Sequence, residues 1–395
     1  MPETAAVIGT DAVAEAMRQI EPDVVSAYPI TPQTSIVETF SEMVVNGKVH
    51  TEMINVESEH SAMSSCIGAA AAGARVITAT SSQGLALMWE LLYVASGLRL
   101  PIVMPNVNRS LSAPINIHCD HSDSMGARDA GWIQVFCENV QESYDNTIQA
   151  VKIAENKKIL LPIMINLDGF IISHSVERIE YCEDEEVRSF IGSYVPDHYL
   201  LDPGQPVSMG NFDTLGGYYF EFKRAQEEAM SNALHVIEEV GREFGDKFGR
   251  YYGLFEELFL EDAQVALIAA GSAAGTVAHV VKEMRKKGLP VGLLKLRVFR
   301  PFPVRALQKA LAHVPVIGVM DRSLMFAGEQ GGPLFSEIRS AFYDLENRPR
   351  IFELVYGLGG RDLGTDLVEN ACRDLLEGRY PEGILYLGLR EGDVI

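Results

Sequence analysis

The chain is poor in cysteine, in basic residues and in long hydrophobic runs, and each shortage argues against a class of protein. Its five cysteines are scattered and no C-x-x-C occurs, which argues against a zinc site or an iron–sulfur cluster held by this chain alone. A formal net charge of −21 argues against nucleic-acid or anionic-membrane partners. No apolar run reaches the roughly 18 residues of a membrane span, and the N-terminus lacks a signal-peptide pattern. We therefore expect a soluble protein of a reducing, cytoplasmic compartment.

The hydrophobic pattern predicts two α/β domains. With 395 residues, of which 47% are hydrophobic, the chain can build two or three full cores. In its first part, short apolar runs alternate with helical segments of about 10 to 15 residues, which predicts a doubly wound, mostly parallel sheet. The alternation stops after Asp168, where one long polar helix is predicted from Phe220 to Phe244, and it resumes at Gln264. The predicted divisions are a first domain over 1–200, a linker and covering helix over 201–262, and a smaller α/β domain over 263–395.

Three segments place reactive side chains at predicted strand ends. Two prolines bracket Thr31 in S-A-Y-P-I-T-P-Q-T and stiffen the turn between a strand and a helix. Glu57 and Glu59 follow the next strand and precede a helix rich in Ala, Ser and Gly, and Arg109 follows L-P-I-V-M-P. In a parallel sheet these strand ends share one edge, where α/β proteins gather ligands. There a guanidinium can bind a carboxylate and a carboxylate can bind a heterocycle nitrogen, although a helix-end acid and a surface arginine are equally ordinary structural features.

Two further segments have a functional and a structural interpretation. G-S-A-A-G-T at 271–276 could bind phosphate at a helix N-terminus or could be a small-residue turn that allows close packing. The run at 118–129 could bind a metal ion or could be a hydrogen-bonded loop packed under an active site. Its candidate metal ligands are His118, Asp120, His121 and Asp123. Neither a Walker sequence nor a nicotinamide fingerprint is present, which weakens a nucleotide-dependent function.

Motifs over nearly the whole chain share one family pattern. They are Y-P-I-T-P at 28–32, E-S-E at 57–59, T-S-S-Q-G-L-A-L-M at 80–88, N-R-S-L-S-A-P at 108–114, D-H-S-D-S-M-G-A-R-D-A-G-W-I-Q at 120–134, L-D-G-F-I-I-S-H at 167–174, L-L-K-L-R-V-F-R-P-F-P at 293–303 and E-Q-G-G-P-L-F at 329–335. Together they resemble the α subunit of the 2-oxoacid:ferredoxin oxidoreductases, the pyruvate:ferredoxin oxidoreductase family.

The resemblance implies a thiamine diphosphate (ThDP) pyrimidine-type domain followed by a smaller transketolase-C-terminal-like α/β domain. In this family ThDP lies between two chains, and the partner holds the diphosphate and Mg²⁺ with a G-D-G motif, which is missing here. The resemblance therefore implies a hetero-oligomer that is inactive as separate subunits. Its other members would be a β subunit with the diphosphate site and γ and δ (or fused) subunits with [4Fe-4S] clusters, and ferredoxin would accept the electrons.

The resemblance also implies the roles of individual residues. Glu59 would be the catalytic, cofactor-binding carboxylate at the aminopyrimidine, with Glu57 a structural neighbour. The implied substrate-binding residues are Thr31, Arg109 and Tyr28, and the implied cofactor-binding residues are Glu59, Pro29, Ile30 and Gln83. The substrate would be a small 2-oxo acid, either pyruvate or oxalate, and the use of coenzyme A stays open. Two alternatives are a ThDP dehydrogenase subunit that passes its acyl group to lipoamide, and a non-catalytic α/β interaction subunit.

Overall fold

The computed structural model describes residues 3–328 and 330–390, so Glu329 of the E-Q-G-G segment lies outside the described residues. In chain order the strands are β1 (Thr4–Ile8), β2 (Val24–Ala27), β3 (Glu52–Asn55), β4 (Val76–Ile77), β5 (Val103–Asn108), β6 (Ile133–Phe136), β7 (Ile163–Asp168), β8 (Val176–Glu180), β9 (Phe255–Leu258), β10 (Val265–Ala270), β11 (Val291–Leu296), β12 (Val298–Arg300), β13 (Val316–Asp321), β14 (Arg350–Val355) and β15 (Ile384–Tyr386). The α-helices are α1 (Gly9–Ile20), α2 (Thr34–Val45), α3 (Glu59–Ala71), α4 (Ser82–Leu87), α5 (Trp89–Gly97), α6 (Ser122–Gly126), α7 (Val140–Ala154), α8 (Asp184–Ile191), α9 (Tyr219–Phe248), α10 (Ala273–Lys286), α11 (Val304–Leu311), α12 (Pro333–Phe342) and α13 (Thr365–Leu376).

The first sheet has the strand order β12-β6-β7-β5-β4-β2-β3. All its neighbours are parallel except β12, which runs antiparallel to β6. Strands β5 and β7 are buried along their whole length, because helices cover both faces of the sheet, as is usual for parallel strands. The predicted doubly wound parallel sheet is therefore confirmed.

Helix α9 covers the first domain, as predicted for the segment from Phe220. It packs Ala233, Ile237 and Phe244 into the same core as α1 and α7, and the remaining face of the sheet is covered mainly by α3 and α5. The predicted end of the strand–helix alternation at Asp168 came too early, because β8 and α8 follow it. These elements escaped prediction because β8 is short, mixes apolar and charged residues, and pairs only with β1 in a two-stranded ribbon.

The second sheet has the order β15-β14-β13-β10-β11-β9, with β9 as its antiparallel edge. Helices α10 and α13 pack on one face and α11 and α12 on the other. The apolar run P-V-G-L-L-K-L-R-V at 290–298 favours a single strand, but the chain divides there at the buried Arg297. Strand β11 stays in the second sheet, whereas β12 extends the first. The domain boundaries proposed from the sequence stay a prediction. Within the described ranges no helix combines the length and apolar character of a membrane span.

Candidate active site

The parallel pairing of the first sheet brings the predicted site residues to one edge. Strands β2, β3, β4, β5 and β7 all point the same way, so the segments after them meet there. Thr31, Glu59, Gln83 and Arg109 follow β2 to β5 in that order. Two of these residues touch each other, since Arg109 Nη1 donates to the Thr31 carbonyl oxygen at 2.9 Å.

The turn after β2 lies at the surface of this edge. Tyr28 is 37% exposed and Pro29 is exposed. The amide of Ile30 donates to the side-chain oxygen of Gln33 at 3.2 Å, and the Gln33 amide donates back to the Ile30 carbonyl oxygen at 2.7 Å. This reciprocal pair fixes the turn in which Thr31 lies exposed at the edge.

Glu59 is a buried carboxylate at the first residue of α3. Ser58 caps the helix by accepting a hydrogen bond from the Ser61 amide at 3.2 Å. Glu59 is only 7% exposed, and among the described residues its carboxylate receives no hydrogen bond. Gly84 of α4 lies against it, since a Cβ at position 84 would stand 2.7 Å from Glu59 Oε1. The neighbouring Thr80 hydroxyl is buried without a partner in the described chain. The site therefore has unused hydrogen-bonding capacity.

Glu57, two residues earlier, has a different environment. Its side chain is exposed and accepts a hydrogen bond from the Ser61 hydroxyl at 2.5 Å. This hydrogen bond lowers the pKa of Glu57. The structure thus separates the two acids into one that is exposed and hydrogen-bonded to Ser61, and one that is only 7% exposed and receives no hydrogen bond from the described residues.

Arg109 is a buried cation held by main-chain oxygens. It is 7% exposed, and its Nε donates to the Asn116 carbonyl oxygen at 3.2 Å in addition to the contact with Thr31. Burial lowers its pKa, and the nearby charge of Asp123 opposes that shift. None of the guanidinium hydrogen bonds ends on a carboxylate, and Nη2 has no acceptor among the described residues. This arrangement leaves Nη2 available to an anionic ligand.

Asp123 joins the segments around Arg109. Its carboxylate accepts hydrogen bonds from the amides of Ser82, Arg109 and Ser124 at 3.0, 3.1 and 2.7 Å, and from Asn108 Nδ2 at 2.9 Å. Burial raises the pKa of Asp123 to about 6, although these hydrogen bonds favour its ionised form.

The predicted cofactor residue Gln83 belongs to the same assembly. Its Nε2 donates to the Ser112 hydroxyl at 2.9 Å, and the neighbouring Ser82 hydroxyl donates to the Ser110 carbonyl oxygen at 2.7 Å. The structure therefore joins the segment after β4 to the segment that carries Arg109.

A second charged cluster, which the sequence did not reveal, lies between the domains. Asp168 accepts hydrogen bonds from His121 Nε2 at 2.7 Å, from the Ser272 amide at 3.1 Å and from Arg322 Nη1 at 2.8 Å. Burial alone would raise the pKa of Asp168, but the charges of His121 and Arg322 outweigh it and hold the pKa well below its usual range. The only signal in the sequence was the position of Asp168 at the end of a buried strand.

This cluster answers the two open interpretations. Of the two interpretations of G-S-A-A-G-T, phosphate binding loses the Ser272 amide, which already donates to the Asp168 carboxylate. Cys119, His121 and Asp168 have potential metal-ligand atoms within 4.8 Å of one another among the described residues. However, the Arg322 guanidinium occupies the cation position beside them. The four predicted metal ligands do not converge, since Asp120 binds the Gly359 amide at 3.2 Å and His118 is exposed.

Comparison with known proteins finds relatives along nearly the whole chain. Residues 15–242 match the family model "Pyruvate flavodoxin/ferredoxin oxidoreductase, thiamine diP-bdg", and residues 263–368 match "Pyruvate:ferredoxin oxidoreductase core domain II". Pyruvate synthase subunit PorA of Thermotoga maritima is 53% identical over 98% of this chain and 99% of its own length. Ketoisovalerate oxidoreductase subunit VorA of Pyrococcus horikoshii is 44% identical over 93% of each chain.

The solved structures support the fold alone. A 2-oxoglutarate:ferredoxin oxidoreductase from Magnetococcus marinus superimposes with a TM-score of 0.73 at 20% identity, over 95% of this chain and 66% of the other.

The PorA and VorA relatives, which match nearly the full length at identities well above 30%, establish the family of this chain. The chain belongs to the thiamine diphosphate-dependent 2-oxoacid:ferredoxin oxidoreductase family, as an α subunit.

Proposed function

We propose that this subunit supplies the aminopyrimidine side of the ThDP site and the residues that bind the substrate, in a complex that oxidatively decarboxylates pyruvate. The observation that carries the proposal is the buried Glu59 carboxylate, which lacks a hydrogen bond from the described residues. Thr80 beside it has an unpartnered hydroxyl, and Gly84 leaves room where a side chain would fill the space. These features fit a heterocycle that donates a hydrogen bond to a carboxylate.

Within this site Glu59 would accept a hydrogen bond from a ring nitrogen of the aminopyrimidine and so stabilise its protonated form. Gln83, Pro29 and Ile30 border the same edge and would line the heterocycle. When bound, ThDP supplies the electron sink that 2-oxo acid decarboxylation needs. Glu57 plays no part in this, because it is solvated and already bound to Ser61.

Arg109 binds the carboxylate of the substrate. Its guanidinium has been desolvated without gaining an anionic partner, which is costly unless a ligand provides one. A charge-assisted pair with a substrate carboxylate would contribute roughly 2–3 kcal/mol. Thr31, held against Arg109 by its carbonyl oxygen, and the half-exposed Tyr28 would contact the remaining substrate oxygens.

Pyruvate is the substrate best supported by the relatives. Several relatives named as pyruvate synthase subunits are 41–53% identical to the chain, while the VorA relative keeps 2-oxoisovalerate as a second candidate. Oxalate, the alternative expected from the sequence, has no support among the relatives named here. The lipoamide-linked alternative also lacks support, since both family models describe ferredoxin- or flavodoxin-linked enzymes.

The subunit must act with others. The missing G-D-G motif supports a β subunit that holds the diphosphate and Mg²⁺. All five cysteines are buried free thiols, which supports placing the [4Fe-4S] clusters on γ and δ or fused subunits. Electron transfer to ferredoxin, use of coenzyme A and a cytoplasmic location complete the proposal, and each stays a prediction.

The test compares Glu59→Gln with Glu57→Gln in the reconstituted complex. The first change keeps the shape of the side chain but removes the carboxylate, so turnover with pyruvate should fall by roughly two to four orders of magnitude. The second alters a solvated acid on the same segment and should leave turnover near that of the wild type. Viologen reduction with pyruvate, 2-oxoisovalerate, 2-oxoglutarate and oxalate gives the rates and identifies the substrate. Near-normal turnover of Glu59→Gln would refute the assignment.

A further inference from the structure

The second domain reaches the candidate active site through a glycine-rich turn, 357–360, here called the glycine turn. It packs against residues 116–121 of the first domain, here called the arginine loop. Three hydrogen bonds join them. They run from Asn116 Nδ2 to the Gly359 carbonyl oxygen at 2.9 Å, from the Gly359 amide to Asp120 Oδ2 at 3.2 Å, and from the Gly360 amide to the Cys119 carbonyl oxygen at 2.7 Å.

The arginine loop in turn holds the guanidinium of Arg109. The Asn116 carbonyl oxygen accepts from Arg109 Nε at 3.2 Å and from the Ser110 hydroxyl at 3.1 Å. Asn116 therefore contacts both domains, since its main chain anchors the arginine and its side chain binds the glycine turn. The only other anchor of the guanidinium among the described residues is the Thr31 carbonyl oxygen.

The glycine turn fits the arginine loop closely. Gly360 has φ +80°, and a Cβ there would stand 2.3 Å from the His118 Cβ. Arg322 fixes the base of the same contact. Its Nε donates to the Gly357 carbonyl oxygen at 3.3 Å, and its own carbonyl oxygen accepts from the His121 amide at 2.9 Å.

We infer that Asn116 and Gly360 are positioning residues for substrate binding, through which the second domain sets the direction of the Arg109 guanidinium. The inference rests on the proposed role of Arg109 as the carboxylate-binding residue. A guanidinium tied by two carbonyl oxygens keeps its third nitrogen aimed in one direction. When the contact with the glycine turn is lost, the Asn116 carbonyl oxygen is no longer held in place, and the guanidinium can turn about its contact with Thr31.

The first test uses two matched glycine substitutions in the assembled complex. Gly360→Ala and Gly288→Ala impose similar backbone strain, since Gly288 has φ +77°, but nothing lies within 4 Å of a Cβ at position 288. Gly360→Ala should raise the KM for pyruvate by about 10- to 100-fold, because small misplacements of a binding group have effects of that size. Its ThDP affinity should be unchanged, and Gly288→Ala should keep the wild-type KM.

A second pair covers the case in which Gly360→Ala fails to assemble. Asn116 and Asn156 each accept a hydrogen bond from the amide two residues later, at 2.8 and 3.0 Å. Only Asn116 also binds the second domain. Asn116→Ala should therefore raise the KM for pyruvate, and Asn156→Ala should not.

Coupling to Arg109 separates positioning from a general structural effect. In an Arg109→Lys background, which lacks the guanidinium, Asn116→Ala should change the KM by less than about twofold. An equal effect in both backgrounds would overturn the inference, as would a wild-type KM for Asn116→Ala. A wild-type kcat/KM for Arg109→Lys would instead overturn the proposed role of Arg109, and the inference with it.

Discussion

The most direct structural test of the site is Gly84→Ala. An added Cβ would lie 2.6 Å from the Thr80 hydroxyl, 2.7 Å from Glu59 Oε1 and 2.9 Å from Glu59 Cγ. Thr80 is fully buried and cannot move away, whereas the Glu59 side chain can rotate. The substitution should therefore displace the carboxylate of Glu59 while leaving the charge and identity of that residue intact.

Two free-energy terms set the expected magnitude. Overpacking costs typically about 1–3 kcal/mol in stability. Loss of a charge-assisted hydrogen bond between Glu59 and the cofactor costs roughly 1.5–3 kcal/mol in binding. At about 1.4 kcal/mol per factor of ten, the second term corresponds to ThDP binding that is roughly 10- to 150-fold weaker.

In the assay, the reconstituted complex is titrated with ThDP. Calorimetry measures the ThDP affinity, and pyruvate-dependent viologen reduction measures turnover. The thermal midpoint of the cofactor-free complex measures the stability term separately. Gly126→Ala is the matched control, because Gly126 also lies in a helix and no atom lies within 4 Å of a Cβ added there. Wild-type ThDP affinity and turnover in Gly84→Ala would refute the assigned contact between Glu59 and the cofactor.

Three further predictions concern charged groups. Arg109→Ala should lower kcat/KM for pyruvate by a factor that corresponds to about 2–4 kcal/mol, and Arg109→Lys by a smaller factor, because lysine keeps the charge but loses the forked geometry of the guanidinium. The ThDP content of both variants should be unchanged. Equal losses of kcat/KM in steady-state kinetics would contradict direct pairing of Arg109 with the substrate. Arg322→Met should destabilise the protein by about 3–5 kcal/mol, since it leaves Asp168 buried beside fewer donors, and the double variant with Asp168→Asn should recover part of that loss in thermal unfolding. Burial, reinforced by the charge of Glu353, raises the pKa of Asp321 to about 7. The native state therefore binds more protons than the unfolded state between about pH 4 and 7, and the contribution of Asp321 to stability falls as pH rises. The thermal midpoint of Asp321→Asn should depend less on pH than that of the wild type.

The shared edge of the active site could be predicted because it depends on local pattern alone. Each of Thr31, Glu59 and Arg109 follows its own apolar run, and parallel pairing necessarily brings such strand ends together. The same reasoning anticipated the sheet and α9. The local pattern could not distinguish Glu59 from Glu57, and only the family resemblance favoured Glu59. The burial of Glu59 depends on Gly84, which lies 25 positions further along the chain.

Contacts between distant segments were beyond the reach of sequence patterns. Arg322 and Asp168 lie 154 residues apart, and each belongs to a motif that reads as an ordinary strand end. Lys295 has the same character. It lies within a strand of the second sheet, yet it pairs with Glu142 and Glu138 of the first domain and with Glu256. The hydrophobic pattern of a strand indicates which of its faces is buried, but it does not indicate which residue of opposite charge pairs with a buried ion.

The hydrogen bonds of the buried charged side chains set Glu59 and Arg109 apart from the others. Because an unpaired ion inside a protein is costly, the buried carboxylates of the described residues other than Glu59 each accept at least one hydrogen bond within the chain. They are Asp120, Asp123, Glu142, Asp145, Asp168, Asp321 and Glu353.

The buried arginines show the same contrast. Arg322 pairs with the Asp168 carboxylate. Arg297 lacks a carboxylate partner, but all three of its nitrogens find amide or carbonyl oxygens. Among the described residues, Arg109 has neither a carboxylate partner nor an acceptor for Nη2. The two exceptions, one anion and one cation, lie at the same edge of one sheet and do not form a salt bridge with each other. In the proposed function, a protonated heterocycle would supply the donor for Glu59 and a 2-oxo acid would supply the anion for Arg109.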